Sequence, residues 1–264
     1  MKILVVSLIM LTIIALYSSC GDSATEISGT LPIVTGITVD TVASIGDTIV
    51  VTWTALTDTQ IEGYFLWTRT EFEEPWALVE TVDQNTGTHI ADRSAYYTVM
   101  AYYGSNTSSD TGVPDNTRAE LLSEIRQYLA MRPVGFRVDL DGDSLVPGDP
   151  YSPDFRQQFT VAFDQLNGDK YIYPGTANPV IWPGGAETMV SSSGGFVAPT
   201  PDDSTQWQDS ISYGGNFFLA LENEYYCMLT GIAIHPDTLA MVDTLVIDGQ
   251  LQAIRSVRVF NCNW

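Results

Sequence analysis

Positive charge is what this chain has least of. Its 264 residues carry 11 Lys and Arg against 32 Asp and Glu, a formal net charge of −21. Lys2 and Lys170 are its only lysines. Contacts to a phosphate backbone need clustered Lys and Arg, so this balance excludes nucleic acid and anionic lipid as favoured partners. It favours solubility and cation binding instead. Histidine is equally scarce: His89 and His235 are too far apart, and the three cysteines too scattered, for a zinc centre. No G-x-S-x-G, H-E-x-x-H or phosphate-cradling glycine loop occurs. Beyond residue 17 no apolar run approaches the roughly 20 residues that a membrane-spanning helix needs. These absences leave little for catalysis and point to a non-catalytic body.

What is present begins with the first twenty residues. Met1-Lys2 is a short basic start, and residues 3–17 are almost wholly apolar, interrupted by Ser7 and Thr12. Ser18-Ser19-Cys20-Gly21 follows. A basic start, a short apolar run and small residues describe a cleaved export signal. With the cysteine placed as it is, the segment resembles the lipobox of bacterial lipoproteins. The family favours Leu three residues before the cysteine; here that place holds Tyr17, with Leu16 one step back. The resemblance implies a signal peptide over residues 1–19, lipidation of Cys20, and a membrane-anchored life in the cell envelope. A secretory leader cut elsewhere, with Cys20 incidental, is the other reading. An acyl chain contributes about 0.8 kcal/mol per buried CH₂, and two or more chains anchor stably.

The remaining length suits two domains. Apolar residues make up 45% of the chain, normal for a packed globular body. Residues 20–30 are small and polar and read as a tether. Strand-like stretches then recur at 33–39, 49–54, 63–69, 76–82 and 96–102, separated by turn residues such as Gly46-Asp47 and Asn85-Thr86-Gly87. Short aromatic-rich strands at this spacing predict an antiparallel sandwich. The order Pro32, Trp53, Tyr64, Asp92, Tyr97-x-Val99-x-Ala101 looks like a fibronectin type III domain over residues 31–112. That resemblance implies an immunoglobulin-like fold with Trp53, Tyr64 and Tyr97 in its core. It also implies a Tyr97 hydroxyl bonded back to the backbone. No Arg-Gly-Asp triplet is present, so integrin binding gains no support.

Residues 113–133 read as a linker with one amphipathic helix. Thr117-x-x-Glu120 matches a capping box, and Leu121, Ile125 and Leu129 recur every four residues before Pro133. The stripe would pack internally or take a partner. Residues 134–264 again read as mainly β, which predicts a second β-sandwich-like domain. A Gly-, Ser- and Pro-rich stretch between Gly184 and Gln206 reads as long loops.

Four candidate sites follow. Cys227 and Cys262 would form a disulfide in an oxidising compartment, worth about 3–4 kcal/mol by chain entropy. Asp139, Asp141, Asp143 and Asp149 place alternating carboxylates that resemble the first half of a Ca²⁺ loop. Ser144 stands where that loop needs glycine, and Asp141-Gly142 also reads as a plain hairpin turn. Trp182, Trp207, Tyr213 and Trp264 lie beside Gly-, Pro- or polar-rich segments and would either stack on sugars or plug loop-side cores. Glu222 and Glu224, on one strand, would face the same side and offer a glycosidase-like carboxylate pair. The expectation is an exported, anchored binding or scaffold module with a protein or polysaccharide partner. A glycan-active hydrolase or carbohydrate-binding protein is the alternative.

Overall fold

The computed structural model describes residues 31–58, 60–108, 112–129, 133–140, 144–163, 170–177, 179–192, 195–203, 206–208, 211–212, 217–222, 224–237 and 242–261. These residues form an all-β body.

The first unit has strands β1 (Thr35–Val39), β2 (Thr48–Thr54), β3 (Gly63–Arg69), β4 (Ala77–Val82), β5 (Thr86–Ile90), β6 (Tyr96–Tyr103), β7 (Asn106–Thr107) and β8 (Asp115–Asn116). They make one sheet in the order β1-β2-β5 and another in the order β4-β3-β6-β7, with β8 also on β6. Alternation explains the packing. In β2, Ile49, Val51 and Trp53 point inward; in β6, Tyr97, Val99 and Ala101 do. Trp53 meets Tyr64 edge-on, with ring centroids 5.4 Å apart. Strand β5 falls where the sequence suggested only a turn. Its Gly87 lies against the Glu80 carboxylate and Leu66, and a Cβ there would crowd both. Asp115 ties the two sheets, because its Oδ2 accepts from the Val39 amide at 2.7 Å.

The expected helix is a strand. Strand β9 (Glu120–Leu129) pairs antiparallel with β18 (Val242–Gln252), from Glu120↔Leu251 to Asp243↔Leu129. Adjacent Leu121 and Leu122 face opposite ways, 56% and 5% exposed, as on a strand. Among the described residues there is no helix.

The second unit adds β10 (Val134–Asp139), β11 (Ser144–Gly148), β12 (Phe159–Phe163), β13 (Lys170–Pro174), β14 (Met189–Ser191), β15 (Ile211–Ser212), β16 (Phe217–Ala220) and β17 (Tyr226–Asp237). It is one ten-stranded sheet, ordered β14-β16-β17-β18-β9-β11-β10-β12-β13-β15. All pairings are antiparallel except β9 with β11. The sheet folds over on itself, bringing β13 beside β14. Its two halves enclose a single core that includes Phe136, Phe159, Ile172, Phe217, Leu219 and Leu229. The expected second sandwich is therefore one curled sheet. Strand β16 is buried on both faces: Phe217 and Leu219 enter this core, while Phe218 and Ala220 join an outer cluster with Met228 and Phe260.

The two units are fused by the last described residues. Val257 and Val259 are fully buried in the core of the first unit. Gly46 donates to Ser256 O and accepts from the Arg258 amide, both at 2.8 Å. Gly46 has φ +69° and lies against the Arg258 guanidinium, where a Cβ would collide. The Ser94 amide donates to Phe260 O at 2.9 Å. Asn261 bonds both the N–H and the C=O of Ala119. The boundary drawn between residues 31–112 and 134–264 along the chain is thus not a boundary in space.

Candidate functional site

A cleft of about 430 Å³ opens at the seam where β13 and β14 meet without pairing. Pro174, Thr176 and Ala177, at the end of β13, form one wall. Thr188 and Met189, at the start of β14, form the other, and Trp207 and Gln208 close it. The Gln208 amide donates to Val190 O at 3.0 Å, fixing this segment against the free edge of β14. Trp207 packs beside Met189 and Phe196 against the outer cluster, and its Nε1 donates to Thr200 O at 2.9 Å. The indole is held at both its body and its nitrogen while remaining partly exposed. Thr188 is only 5% exposed, and its Oγ1 has no hydrogen-bond partner among the described residues. An unmade bond at such a group costs about 1–3 kcal/mol. The described lining carries no charged side chain. It can hold an uncharged ligand by contact and hydrogen bonds, and its described lining includes no acid, base or metal ligand.

The other candidates fare differently. Cys20 lies outside the described residues. Cys227 is a free, fully buried thiol and not half of a cystine. Burial raises its pKa well above the ordinary thiol range, which keeps it protonated and inert. Cys227 points into the inner core, whereas Phe260 packs on the outer face of the same sheet beside Tyr226 and Met228. Cys262 lies outside the described residues.

Asp139 and Asp149, the described members of the aspartate set, do not converge. Asp139 pairs with Ser144 at the mouth of the β10–β11 hairpin, as the plain-turn reading had it. Asp149 follows Gly148 at the opposite end, about 17 Å of strand away. Its Oδ1 accepts from the Tyr151 amide at 3.0 Å. Ca²⁺ ligands must all lie within about 2.6 Å of the ion, so Asp149 cannot join Asp139. Asp141 and Asp143 lie outside the described residues. Among the described residues no three His, Cys, Asp or Glu groups gather as a metal site would require.

Of the aromatics, Trp182 is 6% exposed and packs edge-on against Tyr173, centroids 5.3 Å apart, so it plugs the core. Trp207 lines the cleft. Tyr213 and Trp264 lie outside the described residues. Glu222 and Glu224 are not on a strand but in the turn between β16 and β17, and they serve different partners. Glu222 is ion-paired to Arg156, and Glu224 to Arg255 at 2.9 Å. Trp53, Tyr64 and Tyr97 are all core residues. The tyrosine bonds are exchanged, however. Tyr64 Oη accepts from the Leu56 amide at 2.9 Å, while Tyr97 Oη meets His89 Nδ1 at 3.0 Å. Burial lowers the His89 pKa against the opposing pull of Asp92 and Glu80.

Sequence reasoning found Trp207 but not its companions. Thr188, Gln208 and Pro174 are unremarkable residues in a loop-rich stretch, brought together only by the curl of the sheet. No protein-family model matches the chain, and no curated protein matches it. Distant likeness to solved structures does exist. A fibronectin type III-like protein from Clostridium thermocellum is 18% identical with a TM-score of 0.26, over 32% of this chain and 86% of that one. The structure of titin kinase with its flanking domains is 12% identical with a TM-score of 0.31, over 83% of this chain and 38% of that one. A cycloalternan-degrading enzyme from Trueperella pyogenes is 12% identical with a TM-score of 0.22, over 81% of this chain and 30% of that one. This chain spans less than half the length of the last two. The likeness is to fibronectin type III-like and immunoglobulin-like β-sandwich domains, and at these scores it carries no activity.

Proposed function

We propose that this chain is an envelope-anchored, non-catalytic binding module. Acylation of Cys20 would hold it to the membrane, and residues 20–30 would let the body stand clear. The first sandwich and the C-terminal segment form a platform, as fibronectin type III-like units do in scaffold and adhesion proteins. The seam of the second unit is where a protein or polysaccharide partner is gripped. The observation that carries this reading is the cleft itself: a fixed, partly exposed indole, an unpartnered buried hydroxyl, and a described lining without charge. Its volume falls in the range of about 300–1,000 Å³ typical of small-ligand sites. The hydrolase reading loses its carboxylate pair, because Glu222 and Glu224 are each committed to a different arginine. The net charge of −21 argues against nucleic acid as the partner.

Two measurements test the proposal. Mass spectrometry of the envelope fraction should find a diacylated or triacylated N-terminus at Cys20; an unmodified thiol on an uncleaved chain overturns the anchor. Labelling with 5-fluorotryptophan, with Trp207 assigned by Trp207→Phe, then reports on the cleft in a screen of uncharged fragments. Hits should move the Trp207 resonance. Hits that move only other tryptophans overturn the cleft as the binding surface.

A further inference from the structure

We infer that the seam cleft takes a neutral saccharide; this rests on the reading of the cleft as the ligand seat. A pyranose ring has an apolar face of C–H bonds and a rim of hydroxyls that both donate and accept. The cleft offers the complement of each. Trp207 supplies a flat apolar platform, its Nε1 donating to Thr200 O at 2.9 Å and its ring packed against the outer cluster. Pro174 and Met189 extend the apolar surface. The rim meets hydroxyls and an amide: Thr176, Thr188 and Gln208 are spread over both walls and the closing segment. Thr188 lies on the wall of the cleft and is buried, and its Oγ1 has no partner among the described residues.

Other ligand classes fit less well. Nucleotides also stack on indole, but their phosphates would enter the field of a chain with net charge −21. Proline-rich peptides seat in grooves lined by several aromatics, whereas Trp207 is the sole aromatic in the described lining. Uronate-bearing glycans are disfavoured by the same negative field.

The test titrates the full mature chain, labelled with 5-fluorotryptophan, with maltohexaose, cellohexaose, xylohexaose and N-acetylated chitohexaose. Polygalacturonate oligomers and a neutral proline-rich decapeptide complete the set. At least one neutral hexasaccharide should shift the Trp207 resonance, and polygalacturonate should not. Trp207→Ala should weaken that affinity about tenfold or more, as loss of a central Trp contact does. Should Trp207→Ala fail to fold, Gln208→Ala serves, since the backbone bond to Val190 survives it; its loss should be about threefold or more. Thr188→Val gives opposite readings in one protein: an unchanged or raised melting temperature, because an unpaired buried hydroxyl is gone, and weaker saccharide binding. If the decapeptide moves Trp207 and no saccharide does, the saccharide class is overturned and the cleft reading stands. If neither moves it, both fall. A saccharide that binds equally well to Trp207→Ala or Gln208→Ala overturns the inference by placing the site elsewhere.

Discussion

The two halves of this molecule solve the same burial problem in different ways. The first unit closes two short sheets over Trp53, Tyr64 and Tyr97, each strand giving one face to the core. The second curls one ten-stranded sheet until β14, at one end, approaches β13, next to the other end, and leaves a seam between them. A closed sandwich has no such gap. On the proposed reading the first half is support and the seam of the second, whose described lining carries no charge, is the binding surface. The first half is also not complete alone, because Val257 and Val259 finish its core.

The largest expected effect that sharpens this contrast is in the first core. Trp53→Ala should cost about 3–5 kcal/mol in denaturant unfolding, while Trp207→Ala, at a partly exposed cleft residue, should cost much less. Equal costs would erase the distinction between support and site. Next, Val257→Ala removes a buried side chain that lies in the second half of the sequence but in the first unit's core. It should cost about 1–3 kcal/mol and loosen the first unit; amide exchange confined to the second unit would contradict the shared core.

A smaller effect concerns pH. Burial holds the pKa of His89 below its ordinary value of 6.5, so the unfolded chain binds a proton that the folded chain does not just below that pH. Stability should fall as pH descends through this window, and His89→Gln should flatten the profile; Asp92 and Glu80 pull against the shift and limit its size. The smallest effect is none at all. Reductant should leave the melting temperature unmoved with respect to Cys227, and alkylation of unreduced, denatured protein should label it. A Cys227 peptide that resists alkylation until reduced would restore the cystine.

How much of this was legible in the sequence divides along the same line. Strands β2, β3 and β6 were visible because Trp53, Tyr64 and Tyr97 sit on clean period-two patterns that one buried face imposes. Strand β5 was not, since Thr86-Gly87-Thr88-His89 has few apolar residues, and its glycine leaves room for Leu66 and the Glu80 carboxylate. Strand β9 was misread for a specific reason. Leu121, Ile125 and Leu129 repeat every four residues, the spacing of a helix face, whereas in the strand an irregularity between Leu122 and Ile125 breaks the even alternation. The capping-box residue Thr117 instead donates its backbone amide to Ala95 O at 2.9 Å, and its Oγ1 accepts from the Ala95 amide at 3.1 Å. Only β18, more than a hundred residues later, decides between helix and strand. The cleft was half legible: an indole in a polar stretch marks itself, but Thr188 and Pro174 become neighbours of Trp207 only through the curl.

The claim beneath all of this is that two sheet-built halves form one folded body. Thermal unfolding of the 5-fluorotryptophan-labelled chain measures it most directly, because Trp53 reports the first core and Trp182 the second. Both native resonances should vanish together, at one temperature. If one persists while the other has gone, the halves are independent, and the fused platform that holds the seam does not exist.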